Sequence, residues 1–95
     1  MKRFNLGQVL ATPGALEALD KSHQSPREFI AQHAAGKWGM VCPEDAAAND
    51  RALADGTRLL SAYVLKDGTK IWIITEAEND YGIRTATTLL LPDEY

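Results

Sequence analysis

The sequence predicts an α+β fold in which an antiparallel sheet, ending in a three-strand meander, carries helices on one face. Three observations lead there. Two alternating apolar runs flank Lys66-Asp67-Gly68-Thr69, where Gly68 and Asp67 tolerate the positive φ of a tight hairpin turn. Ser25-Pro26-Arg27-Glu28 has the layout of a capping box, with Glu28 placed to return a bond to the Ser25 N–H. Pro43 and Gly56 bracket an Ala-rich run that opens with Glu44 and Asp45, where negative charge meets the positive end of a helix. The element order β-α-α-α-β-β-β packs most simply as two layers.

Each element has its own local reason. Arg3 to Ala11 alternates in part and reads as a first strand, with Gly7 marking a bulge. Thr12 caps a short helix from Pro13 to about Asp20, with Leu16 and Leu19 facing inward. The helix begun at Pro26 runs to about Ala35; Phe29, Ile30, His33 and Ala34 form its inner stripe, and Gly36 stops it. Lys37 to Cys42 is a connector holding Trp38. The third helix presents mostly Ala and can approach its neighbour closely. In the meander, Arg58–Leu65 and Lys70–Glu76 pair across the turn, Ala77–Gly82 is a polar loop and Ile83–Leu91 is the last strand. Lys70–Glu76 is apolar on both faces, which predicts a central position. Leu59, Tyr63 and Trp72 are expected to leave part of the second sheet face apolar, a surface suited to a dimer or a partner.

With 95 residues, the chain is sized for a single domain spanning 1–95. Its hydrophobic fraction of 45% is enough to build a core. A formal net charge of −3 and scattered basic residues argue against a nucleic-acid backbone as direct partner. No segment reads as a membrane span or a signal peptide, and the lone Cys42 excludes an internal disulfide framework. A cytoplasmic location is expected, with no cofactor and no metal site.

The richest polar cluster joins His33, Trp38, Glu44, Asp45 and Asn49. A histidine beside a carboxylate can act as a general base, which makes His33, Asp45 and Asn49 weak catalytic candidates. The favoured reading is structural: His33 meets the negative end of its helix, Trp38 fills the corner and the acids cap the third helix. Trp38, Tyr63, Trp72 and Glu76 are the binding candidates. Glu76 opposite Arg84 reads as an ordinary cross-strand pair. Cys42 reads as a small apolar or N-cap residue rather than a nucleophile.

Several segments carry a resemblance: Ala11-Thr12-Pro13-Gly14-Ala15-Leu16, His33 with Gly36-Lys37-Trp38-Gly39, Asn49-Asp50-Arg51-Ala52-Leu53, and Leu60-Ser61-Ala62-Tyr63. So do Ile71-Trp72-Ile73-Ile74-Thr75-Glu76, Thr87-Thr88 and Leu91-Pro92-Asp93-Glu94-Tyr95. Together they resemble a family of small bacterial proteins found on plasmids and other mobile elements and labelled "plasmid-related protein". The family pattern commonly has Asp where this chain has Lys37, which weakens a carboxylate pairing with His33. The resemblance implies a mobile-element setting and no particular reaction.

These observations favour a non-enzymatic accessory factor that binds another protein or itself. An acidic nucleic-acid mimic is one alternative, resting on Glu44, Asp45, Asp50 and Asp55, on Glu76, Glu78 and Asp80, and on Asp93 and Glu94. A small enzyme or ligand-binding domain using the His33–Trp38 corner is another, and it requires His33 to be reachable from solvent.

Overall fold

The chain runs through β1 (Gln8–Ala11), α1 (Pro13–Lys21), α2 (Pro26–Ala34), α3 (Pro43–Asp55), β2 (Leu59–Val64), β3 (Lys70–Thr75) and β4 (Ala86–Leu90). It ends in a 3-10 turn at Pro92–Glu94. The computed structural model describes residues 2–95; Met1, part of the segment read as lacking a signal peptide, lies outside them.

The fold is α+β, and the meander forms as expected, with β2 antiparallel to β3 and β3 antiparallel to β4. The sheet as a whole is mixed, which corrects the all-antiparallel expectation. Strand order is β1-β4-β3-β2, and β1 pairs with β4 in parallel, Val9 opposite Thr87 and Ala11 opposite Leu89. The cause is the helical segment between β1 and β2. It carries the chain over one sheet face and back to the starting end, so β2 runs parallel to β1, and β4, two reversals later, does too. β3 lies in the sheet interior, as its two apolar faces predict.

The first and last strands are both shorter than read from sequence. β1 begins only at Gln8 because Gly7 takes φ 66° and turns the chain against the backbone of Arg84 and Thr85, where a Cβ would collide. Before that bend, the Arg3 N–H donates to the Ala34 carbonyl at 2.7 Å, so the N-terminal segment follows α2 instead of the sheet. β4 begins at Ala86 because Asn79 organises the preceding loop, its Oδ1 accepting from the N–H groups of Tyr81 and Ile83.

Thr12 and Ser25 cap α1 and α2 through their hydroxyls, which accept from Ala15 N–H at 3.1 Å and Arg27 N–H at 3.2 Å. Ser25 thus caps as expected, but among the described residues Glu28 makes no return bond. Gly56 ends α3 at φ 80°. Ala15, Leu19 and Phe29 pack on Tyr63, Leu65, Ile71, Ile73 and Leu89 of the inner sheet side. Each large side chain so buried contributes about 1.5–3 kcal/mol. Leu16 was expected inside beside Leu19 but is 49% exposed, because Ala15, Ala18 and Leu19 already fill the inner stripe of this short helix.

Leu59 and Tyr63 belong to this inner side, at 0% and 5% exposure, and not to the second face. Arg58–Leu65 is apolar in both parities, so its pattern does not reveal which side faces the helices. The second face carries Leu60, Ala62, Trp72, Ile74, Thr88 and Leu90, as the cross-strand registers require.

The outer edge of β2 is closed by two devices. The connector backbone bridges Ala62, whose N–H donates to the Trp38 carbonyl at 3.0 Å and whose carbonyl accepts from Met40 N–H at 2.6 Å. One step along, the Asn49 side-chain amide imitates a strand. Its Nδ2 donates to the Leu60 carbonyl at 2.7 Å and its Oδ1 accepts from the Leu60 N–H at 3.0 Å. Gly39 permits the close approach, since any side chain there would overlap the Ala62 carbonyl.

Candidate functional site

The candidate residues gather in an enclosed cluster around His33, between the layers, and in a groove on the second sheet face.

His33 sits in the last turn of α2 and points at the sheet, with no exposed surface. Three hydroxyls on successive strands meet it or continue from it. Nδ1 lies 2.5 Å from Ser61 Oγ, Nε2 lies 2.8 Å from Thr75 Oγ1, and Thr75 Oγ1 lies 2.7 Å from Thr87 Oγ1. Thr87 in turn donates to the Leu6 carbonyl at 2.7 Å. Phe4 and Trp38 close the sides, each meeting the imidazole edge-on, with centroids at 5.2 and 5.7 Å.

This chain of bonds has one consistent proton arrangement. A carbonyl only accepts, so the Thr87 proton goes to Leu6. Thr87 must then accept from Thr75, whose proton is thereby used. Thr75 therefore accepts from Nε2–H of His33, and the bare Nδ1 accepts from Ser61. The network assigns a proton to Nε2, and the imidazole is neutral when Nδ1 accepts from Ser61. Ser61 could also accept from a proton on Nδ1, so what disfavours the charged ring is its burial. Burial pushes the His33 pKa down to about 4.

In connectivity, a serine hydroxyl donating to an imidazole whose other nitrogen donates onward resembles a hydrolytic dyad. Its placement differs, because Ser61, Thr75 and Thr87 are each 0% exposed. No substrate atom reaches Ser61 in this conformation, and the cluster acts as a polar pin through the core. The expected carboxylate partner is not supplied. Asp45 is exposed in the first turn of α3, and Asn49 is committed to the β2 edge. Asp50 accepts from Trp38 Nε1 at 3.1 Å and bonds no histidine.

Trp38 and Tyr63 are core residues, 7% and 5% exposed, and the Tyr63 hydroxyl donates to the Lys37 carbonyl at 2.6 Å. Arg84 departs furthest from its sequence reading. It is 4% exposed and, among the described residues, pairs with no carboxylate. Its guanidinium donates instead to the carbonyls of Thr57, Glu76 and Ala52, at 2.7, 3.0 and 2.9 Å. Ala52 lies in the last turn of α3, so this cation sits at the negative end of that helix. The Glu76 side chain, expected opposite Arg84, is on the surface; the N–H of Glu76 bonds Ala86 instead. Cys42 occupies the N-cap position of α3 and makes no side-chain capping bond.

Sequence reasoning missed Ser61, Thr75 and Thr87. The available signal was His33 itself, since a histidine on the inner helical stripe needs hydroxyl or carbonyl partners; parity could not single out Ser61, whose strand is apolar on both sides.

The open face carries a groove of about 340 Å³ lined by Arg58, Ile74, Glu76, Thr88, Leu90 and Tyr95. Its floor, Ile74 and Leu90, is buried at 5% and 6% exposure, and the Tyr95 ring is its exposed apolar surface. The Tyr95 ring packs edge-on against Trp72 with centroids 5.8 Å apart, and Arg58 lies 5.6 Å above the Tyr95 ring and donates to its hydroxyl. Glu94 anchors this tail. Its Oε1 accepts from the Thr12 hydroxyl at 2.6 Å and the Leu91 N–H at 2.8 Å, and these bonds hold its carboxyl below the usual range. Arg58 and Glu76 flank the Leu59–Thr75 pair, yet among the described residues they form no ion pair, because Arg58 turns to Tyr95. Of the binding candidates, Glu76 is exposed beside this groove and Trp72 is half-buried against the Tyr95 ring.

Among the described residues, no three His, Cys, Asp or Glu side chains converge on a point that could hold a metal ion. No helix there is long and apolar enough to cross a membrane.

Fold and site together define an α+β protein with a sealed polar core and an open sheet face. No family model matches the chain, and no curated protein or solved structure is significantly similar to it. The plasmid-family resemblance therefore rests on its sequence motifs alone.

Proposed function

We propose that this chain is a non-enzymatic accessory factor that binds a protein partner through the open face of its sheet. The carrying observation is the contrast between the two polar sites. The chemistry-bearing residues around His33 are enclosed, whereas Arg58, Glu76 and Tyr95 are exposed around a groove whose floor, Ile74 and Leu90, is itself buried. The occupant that fits is a polypeptide segment with an apolar side chain for the exposed Tyr95 ring, flanked by an acceptor for Arg58 and a donor for Glu76. A bacterial mobile element is the proposed setting, on the strength of the motifs from Ala11-Thr12-Pro13-Gly14 to Leu91-Pro92-Asp93-Glu94-Tyr95. The nucleic-acid mimic reading draws less support, because Asp50, Asp55 and Glu94 each hold internal hydrogen bonds.

The test places a photo-crosslinking residue at Thr88, inside the groove, and at Glu28, on exposed α2, in the native host. A discrete adduct at 88, absent at 28 and lost on adding Glu76→Lys, is expected. Equal labelling at both positions, or an adduct indifferent to Glu76→Lys, would sink the proposal.

A further inference from the structure

The two edges of the sheet are treated in opposite ways. β2 is closed by the Asn49 amide and the Trp38–Met40 backbone. β1 has a strand on one side only. Its backbone bonds to β4 run through Gln8 N–H to the Thr85 carbonyl and Thr12 N–H to the Leu89 carbonyl. The alternation of a strand then directs the N–H and C=O of Val9 and Ala11 away from β4, into solvent. The side chains continue the theme: Val9 and Leu10 are 44% and 43% exposed. Exposed edges are commonly blunted by keeping the strand very short or by a charge, a proline or a bulge within it, and of these β1 shows only its shortness, at four residues. Gln8-Val9-Leu10-Ala11 has no charge and no proline.

We propose that β1 pairs antiparallel with β1 of a second copy of this chain about a two-fold axis. One register stands out. Centring the axis on Leu10 sets Val9 opposite Ala11 of the second copy and Ala11 opposite its Val9. Both are then hydrogen-bonded pairs, and every outward N–H and C=O of the strand is matched. Leu10 meets its own equivalent in the intervening close pair, on the open-face side, so two half-exposed leucines cover one another. The uncharged strand brings no like charges into register. The two four-stranded sheets become one continuous sheet of eight. This inference uses no residue of the Arg58–Glu76 groove and stands or falls apart from the proposed function.

The experiment combines light scattering over a wide concentration range with amide hydrogen exchange on the intact chain. The expected mass rises to twice 10.4 kDa, while the Val9 and Ala11 amides become protected in step with dimer formation. Leu10→Lys, at a half-exposed position, places two ammonium groups face to face and is expected to abolish the dimer while leaving the circular dichroism spectrum unchanged. A chain still monomeric at about 1 mM overturns the proposal, since that is affinity too weak to matter. So does a dimer whose Val9 and Ala11 amides exchange freely, a readout that needs no variant. So does a Leu10→Lys chain that dimerises as well as the parent.

Discussion

Acidification tests the sealed state of His33. In the unfolded chain this imidazole takes up a proton near pH 6.5, whereas in the folded chain burial delays uptake to about pH 4. Between those values the unfolded state binds more protons, so stability falls as pH falls. The loss begins as pH drops through 6.5 and is complete below the folded value. Two and a half pH units of displacement amount to about 3 kcal/mol, a large part of the roughly 5–15 kcal/mol that holds a small fold together. The assay is urea unfolding at a series of pH values between 7 and 4, on the parent and on His33→Gln. Carboxylates whose ionisation is favoured by folding, such as Asp55, Asp67 and Glu94, also titrate toward the acid end. They are common to both proteins and cancel in the difference. The parent is expected to lose about 3 kcal/mol more than the variant. Parallel profiles would show that His33 takes up its proton as readily folded as unfolded, and would refute the burial that holds the ring neutral. A nitrogen-15 spectrum offers a second reading, with the proton expected on Nε2; a proton on Nδ1 would break the donor order from Leu6 onward.

Two further outcomes follow from buried polar groups. Asn49→Ala removes the imitation strand and leaves the Leu60 N–H and C=O without partners, at a cost of about 1–3 kcal/mol; chemical unfolding measures the loss, and the Leu60 amide is expected to exchange faster. Arg84→Met keeps the aliphatic stem and removes the donors to Thr57, Glu76 and Ala52, for an expected loss of about 2–4 kcal/mol in the same assay, whereas Glu76→Gln, which leaves its backbone carbonyl in place, is expected to change stability little.

Local chemistry was legible where it depends on neighbours in sequence. Ser25-Pro26, Pro43, Gly56 and Asp67-Gly68 mark starts, stops and a turn through their own backbone preferences, and the elements begin and end close to them. The direction of β1 was not legible, because it depends on how the helices carry the chain across the sheet. Leu59 and Tyr63 were placed on the wrong face because their strand is apolar in both parities. In the site, the burial of His33 follows from its place on the inner stripe beside Phe29. Its partners come from three strands distant in sequence, and only the register brings Ser61, Thr75 and Thr87 under one helix. Arg84 carried no sequence sign of burial; its ligands are carbonyl oxygens, which every residue has.

The line from Leu6 through Thr87 and Thr75 to His33 and Ser61 draws on the amino-terminal segment, β4, β3, α2 and β2. No two neighbouring segments can complete it by themselves. A meander without α2 leaves Ser61 and Thr75 facing an empty seat, and a chain whose amino-terminal segment has not docked leaves the Thr87 proton without its carbonyl. The line thus works as a checksum on assembly: it closes when all five pieces have arrived in register, and any misplaced piece leaves a dry, unanswered proton in the middle of the molecule.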